Sequence, residues 1–133
     1  MIGDSITTAL YQKALDGTWQ RQKAISNNIA NAETPGYKSL KVSFEDNLKS
    51  EVNKIQKNST AANGALENFK SISDSAISVD TVNTTSNRAD GNNVDLDAEN
   101  VDMAKTVLNY NYLVRGLSDT YSRLKYAISE GKR

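Results

Sequence analysis

The chain of 133 residues contains neither cysteine nor histidine. Without cysteine, disulfides and thiolate metal sites are excluded, and thiols say nothing about redox compartment. Without histidine, the commonest general base and the commonest imidazole metal ligand are both missing. An enzyme would have to work with carboxylates, lysines, tyrosines or serines alone, and the sequence carries no glycine-rich phosphate loop. No catalytic residue, cofactor or metal ligand is assigned on this reading. An excess of charge is also lacking, because sixteen basic and sixteen acidic residues cancel. No net field would hold the chain on nucleic acid or on an anionic membrane. No apolar run approaches the roughly 20 residues that span a bilayer, so direct membrane insertion is not expected. The opening MIGDSITTAL has neither the basic start nor the apolar run of a secretory signal. The expectation is a cytosolic protein, or one exported without a cleaved signal peptide. Proline occurs once, at Pro35, which leaves long stretches free to be helical.

The clearest pattern lies in the C-terminal third. Alternating steps of four and three give Leu96, Asn100, Met103, Val107, Tyr110, Val114, Leu117, Tyr121, Leu124 and Ile128. All but Asn100 are apolar or aromatic, and a 3.5-residue repeat over more than four heptads keeps one seam turned to a partner helix. Asp95, Asp97 and Glu99 place negative charge at the positive end of this helix. Gly116 lies mid-helix, where it costs about 1 kcal/mol against alanine; close approach of a neighbouring helix would justify it.

A second helix is expected from about Asp4 or Ser5 to Ala32, with Ile6, Leu10, Ala14, Leu15, Trp19, Ile25, Ile29 and Ala32 at helical spacing. Small residues along it, Gly17 and Ala24 among them, would permit tight helix packing. Thr34-Pro35-Gly36 stops it. Ser43 is a candidate cap for a short third helix with Phe44, Leu48, Val52 and Ile55 on one face. From Asn58 to Asn93, 17 of 36 residues are Ser, Thr or Asn, which reads as a surface loop or a segment disordered in the free chain rather than as core. Ile77 and Val79 alternate weakly, as in one strand.

The expected fold class is therefore mainly α. Long N- and C-terminal helices (within residues 1–57 and 94–133) pair as a coiled-coil-like bundle around a polar, partly disordered middle (58–93). Two helices with one seam each bury little, so a lone pair is marginal. Such a chain completes its core by assembly.

Two motifs carry a resemblance. Asn27-Asn28-Ile29-Ala30-Asn31-Ala32-Glu33-Thr34-Pro35-Gly36-Tyr37-Lys38 closely resembles the signature near the N-terminus of bacterial flagellar rod and hook proteins. Asp90-Gly91-Asn92-Asn93-Val94-Asp95-Leu96-Asp97, continuing through Glu99 and Met103-Ala104, is similar to the approach to their C-terminal helix. Both motifs in so short a chain make it most like the flagellar basal-body rod family members of the proximal rod. The resemblance covers roughly residues 1–57 and 88–133. It implies a structural subunit of the rod, the drive shaft of flagellum-dependent motility, lying in the basal body within the periplasmic space. It further implies type III export without a cleaved signal. The implied partners are other rod proteins, the adaptor protein joining rod to membrane ring, the export apparatus and further copies of the chain.

On this reading the assembly interface draws on Leu15, Trp19, Ile25, Asn28, Ile29, Asn31, Pro35, Gly36 and Tyr37 from the N-terminal end. The C-terminal seam supplies Met103, Val107, Tyr110, Val114, Leu117, Tyr121, Leu124 and Ile128. Each has a plainer reading. The asparagines are also ordinary polar residues at a helix end, with Asn31 able to cap it. Pro35-Gly36-Tyr37 is also a helix-stopping turn, and the tyrosines and Trp19 are also packing residues. The acids from Asp90 to Glu99 lack the spacing of a calcium loop. A different class of function, a small helical coiled-coil adaptor or chaperone-like binding module, would use the same seam to dock one soluble partner.

Overall fold

The computed structural model describes residues 2–57, 64–83 and 88–130. Two long helices dominate it, α1 (Ile2–Ala30) and α4 (Leu96–Glu130). Between them lie β1 (Leu40–Ser43), α2 (Glu45–Lys57), α3 (Gly64–Asp74) and β2 (Ser78–Thr81). The mainly helical class and the pairing of the terminal helices follow the sequence reading. Tyr11 of α1 meets Gly116 of α4, while Asn28 near the end of α1 meets Glu99 near the start of α4. The two helices therefore run antiparallel. From the Tyr11–Gly116 crossing, α1 extends back nine residues to Ile2 and α4 extends on fourteen to Glu130. The last turn or so of α4, roughly 7 Å of it, overhangs its partner.

α1 can approach its neighbours because most of its buried positions are small: Ala9, Ala14, Gly17, Thr18 and Ala24. The Thr18 hydroxyl donates to the Ala14 and Leu15 carbonyls at 3.0 and 2.9 Å, so its burial leaves no polar atom unpaired. Gly17 and Gly116 mark the two closest approaches. A Cβ at Gly17 would lie 2.6 Å from the Phe44 ring, and one at Gly116 would lie 2.7 Å from the Tyr11 hydroxyl. The expected reason for a glycine inside α4, close approach of another helix, is met by the Tyr11 side chain.

Phe44 sits at the centre of the core. It packs in a buried cluster with Ala14, Ala24 and Val42, flanked by Leu40, Leu48, Ile77 and Leu113. Arg21, one turn beyond Gly17, covers the ring with its guanidinium 4.9 Å from the centroid. The same guanidinium grips both oxygens of Glu45 at 2.6 and 2.7 Å and donates to the Val42 carbonyl at 3.0 Å. Burial works against the charged form of Glu45, yet the hydrogen bond and charge of Arg21 together with the Glu45 and Phe44 amides outweigh it and hold the carboxyl below its ordinary range.

Three expectations are corrected. Ser43 ends β1, and Phe44 takes the position before α2, its carbonyl accepting the Leu48 amide at 2.9 Å. Phe44 and Leu48 nevertheless share the inward face, as read from their spacing. The polar middle is also not merely an insert. α3 lies against α1, and Ile72 on α3 is fully buried. One strand was suspected at Ile77–Val79, and β2 pairs antiparallel with β1, which was not foreseen, in the register Leu40–Thr81 and Val42–Val79. Among the described side chains of α3 Ile72 alone is buried, too little for composition to reveal. The remainder of the expected loop, 58–63 and 84–87, lies outside the described residues. The third correction concerns the seam of α4 and is taken up below.

Candidate assembly interface

The two motif segments meet at one end of the helix pair. α1 ends at Ala30, leaving carbonyls without intrahelical partners. The Asn31 and Ala32 amides take up the Asn27, Asn28 and Ile29 carbonyls, and Asn92 serves the turn that follows. Its side chain is completely buried, and its Nδ2 is shared among the carbonyls of Asn31, Ala32 and Thr34 at 2.9, 3.0 and 2.9 Å. Its Oδ1 accepts the Val94 amide at 2.8 Å, so one asparagine ties the end of α1 to the chain leading into α4. The turn from Pro35 to Tyr37 runs alongside: the Gly36 amide donates to the Asp90 carbonyl at 2.8 Å, and Lys38 Nζ donates to the Gly91 carbonyl at 2.8 Å. Gly36 and Gly91 both have left-handed φ, +74° and +76°, which glycine adopts without steric penalty. α4 then begins with Asp95 as cap, its Oδ1 accepting the Asp97 and Ala98 amides at 3.0 and 3.2 Å.

Asn28 is the second tie. It is buried, and its side chain behaves as a strand neighbour for Leu40, donating to the Leu40 carbonyl at 2.9 Å and accepting the Leu40 amide at 2.8 Å. Its Nδ2 also donates to Glu99 at 2.9 Å, and its Oδ1 accepts the Tyr37 hydroxyl at 3.2 Å. Every hydrogen-bonding position of this amide is used inside the chain. Asn28 and Ile25, both expected on an intermolecular surface, are buried within the single chain. Asn31 caps the helix end as its plainer reading had it, donating to the Asn27 carbonyl at 2.8 Å.

Partial burial raises the Glu99 carboxyl above its ordinary range, helped by Asp102 and Asp95 and opposed by the Asn28 hydrogen bond. A raised folded-state value means that the ionised form burdens the fold above that value, and that the burden lifts as pH falls through it. Glu99→Gln keeps an acceptor for Asn28 and removes the charge. The variant is expected to be at least as stable as the parent at pH 7. Its advantage should shrink as pH falls toward the range where Glu99 takes up a proton, measured by paired thermal melts. An advantage that grows on acidification would contradict the assignment. Tyr37 is raised as well, by burial and then by the Glu99 charge.

α4 presents three faces. The covered one carries buried Thr106 and half-buried Glu99, Leu113 and Thr120 at sevenfold spacing, together with Met103, Leu117 and Leu124. The heptad read from the sequence thus holds for Met103, Leu117 and Leu124. Its other row is turned away: Val107, Val114, Tyr121 and Ile128 are exposed, as are Leu96 and Tyr110 of the first row. Packing within the chain takes the row one residue round the helix, because Thr106, Gly116 and Thr120 let α1 come closer than larger residues would. A further stripe, missed by the sequence reading, runs along the far side of α4 through Val101, Leu108, Tyr112 and Tyr126, the last two 71% and 67% exposed. Spacing could have shown it, but the stronger heptad masked it. On α1, Trp19 is exposed with Lys23 stacked 5.7 Å from its ring centroid, Leu15 and Ile29 are half-buried, and Pro35 and Gly36 are exposed. Unpartnered apolar stripes on two sides of one helix exceed what an ordinary monomer surface shows.

Among the described residues no cluster of acids could hold a metal ion, and no helix is long and apolar enough to cross a membrane.

The family profile described as "Flagella basal body rod protein" matches residues 12–38, the second half of α1 and the turn that follows it. The chain is 36% identical over 121 residues to the "Flagellar basal body rod protein FlgB" of Bacillus subtilis (strain 168), covering 91% of this chain and 92% of that one. It is 33% identical over 119 residues to the protein of that name from Salmonella typhimurium, with 86% and 84% covered. With its counterpart from Escherichia coli (strain K12) it shares 27% identity over 135 residues, 96% and 98% of the two chains. On these grounds the chain belongs to the flagellar basal body rod protein family.

Proposed function

We propose that this chain is a structural subunit of the proximal flagellar rod, polymerising through its terminal helices as part of the drive shaft for motility. The observation that carries the reading, beside family membership, is the exposed apolar row Val107, Val114 and Tyr121 on a helix already packed on another side. Such a helix leaves its apolar area in water until neighbours cover it, at about 25 cal/mol per Å². The proposed surroundings are other rod proteins, the adaptor joining rod to ring, and the export apparatus, with the subunit carried to the periplasmic rod without a cleaved signal. Trp19, Tyr37 and the exposed seam residues are the proposed contact set. A soluble adaptor would share the seam, but no observation favours it.

Val114→Asp and Tyr121→Asp test this directly. Both side chains are exposed in the single chain, so each variant should melt within about 0.5 kcal/mol of the parent, as surface substitutions do. In cells each should fail to restore swimming to a strain lacking the chain, because assembly would bury the new charge without a partner. Full restoration of swimming by both variants would show that this row is not an interface.

A further inference from the structure

The β ribbon presents a surface separate from α4, and what it can bind does not depend on the rod-subunit reading. Its two strands pair in the register Leu40–Thr81, Lys41–Asp80, Val42–Val79 and Ser43–Ser78. One step beyond, the Val82 amide donates to the Ser39 carbonyl at 2.8 Å. Opposed residues of an antiparallel pair alternate between exchanging hydrogen bonds and turning those groups outward. Lys41–Asp80 and Ser43–Ser78 therefore bond across the ribbon. Leu40 and Val42 aim their amides and carbonyls out at one edge, Val79 and Thr81 at the other.

The two edges are finished differently. At the β1 edge Asn28 takes both the amide and the carbonyl of Leu40, at 2.8 and 2.9 Å, and Arg21 donates to the Val42 carbonyl at 3.0 Å. Side chains of α1 thus stand where a third strand would lie. At the β2 edge no described residue bonds the amide or carbonyl of Val79 or Thr81. Val79 shares a face with buried Val42, yet it is 50% exposed, so the apolar row across the ribbon stops one strand short. On the opposite face the row Lys41, Asp80 ends on an exposed carboxylate with no ion pair among the described residues.

We propose that β2 is a docking edge for an extended segment of a different protein, with an apolar residue opposite Val79 and a basic residue beside it, opposite Asp80. Unpaired strand groups are met by another extended backbone, which supplies the affinity, while the alternating side chains select the sequence. The apolar residue would extend the Val42–Val79 row, and the basic one would complete an alternation of charge begun by Lys41 and Asp80. A second copy of this chain is the poorer occupant. Its β1 has no open edge, being closed by β2 on one side and by Asn28 and Arg21 on the other. Two-fold pairing of β2 with β2, using Val79 and Thr81 of both copies, would set Asp80 directly against Asp80, and like charges so placed repel.

The probe is the synthetic peptide acetyl-Thr-Val-Lys-Val-Thr-amide, titrated into the isotope-labelled full-length chain and followed by amide resonances. The signals of Val79 and Thr81 should shift most and gain protection from hydrogen exchange. A probe with Glu in place of Lys should bind about fivefold more weakly, as a reversed cross-strand charge pair does. Val79→Pro removes an outward amide but no bond of the β1–β2 ladder, so the variant should melt with the parent and bind about tenfold more weakly. If that variant unfolds, Thr81→Pro tests the same edge and is read the same way. Shifts confined to other elements, no binding at millimolar peptide, equal affinity for the two probes, or undiminished binding by a folded proline variant would overturn the proposal. In cells, the photo-cross-linking substitution Thr81→p-benzoylphenylalanine identifies the occupant. The expected product joins Thr81 to an apolar–basic segment of a different protein and is lost when Val79→Pro is added. A cross-link to a second copy alone, or no cross-link, would overturn it. None of these readouts requires the chain to enter a rod, so failure here leaves the rod-subunit reading standing, and the reverse holds as well.

Discussion

Asn92→Ala is expected to cost about 3 kcal/mol of folding free energy, as the loss of a buried, fully used polar side chain does. The substitution removes the donor shared by the Asn31, Ala32 and Thr34 carbonyls and the acceptor of the Val94 amide. The Ala32 carbonyl and the Val94 amide lie in buried residues, so the loss there falls on groups that water reaches poorly. In a chain of this size that loss lowers the melting temperature by on the order of 10 °C. Asn92→Asp is nearly isosteric and should do no better, since it would aim a carboxylate at three carbonyl oxygens. Circular-dichroism melts of the two variants decide the matter. A shift below about 1 kcal/mol for both, the level of an ordinary surface change, would mean that the tie between the two motifs is dispensable.

Phe44→Ala is expected to cost about 3–5 kcal/mol, the range for deleting a buried aromatic. The more discriminating result comes from pairing it with Gly17→Ala. Alone, Gly17→Ala gains about 1 kcal/mol of helix propensity, yet it places a methyl group 2.6 Å from the Phe44 ring, and the ring is confined by Arg21 and the core. Overpacking of this kind costs about 1–3 kcal/mol, so the variant should be destabilised. In the Phe44→Ala background the obstruction is gone and the same substitution should stabilise. A reversal of sign between backgrounds is the expected outcome of the double-mutant cycle. Equal effects in both backgrounds would show that Gly17 is not held by the ring.

Much of this architecture was legible in the sequence, and the reasons divide by residue. The ends of α1 and α4 could be read because Pro35, Gly36 and Asp95 act locally, through backbone geometry and capping. The two motifs pointed to the family, but not to how they serve the fold. Asn28 and Asn92 are the residues that join them, and each bonds to backbone that only tertiary structure brings near. An asparagine at a helix end looks the same in sequence whether it faces solvent or a buried strand. The α4 seam was half right for a related reason. Periodicity counts apolar side chains, whereas α1 seats against Thr106, Gly116 and Thr120, where small size matters more than hydrophobicity. The apolar row left outside, Val107, Val114 and Tyr121, is the one that intrachain packing does not use. α3 escaped notice because Ile72 is the single buried anchor among its described side chains, in a segment otherwise rich in serine and asparagine.

The central claim is that this chain is a rod subunit, and electron microscopy of basal bodies from a strain lacking it is the most direct test. Rings without a rod, in cells that do not swim and that regain both rod and swimming when the chain is returned, are the predicted result. Intact rods and normal swimming in its absence would contradict the account.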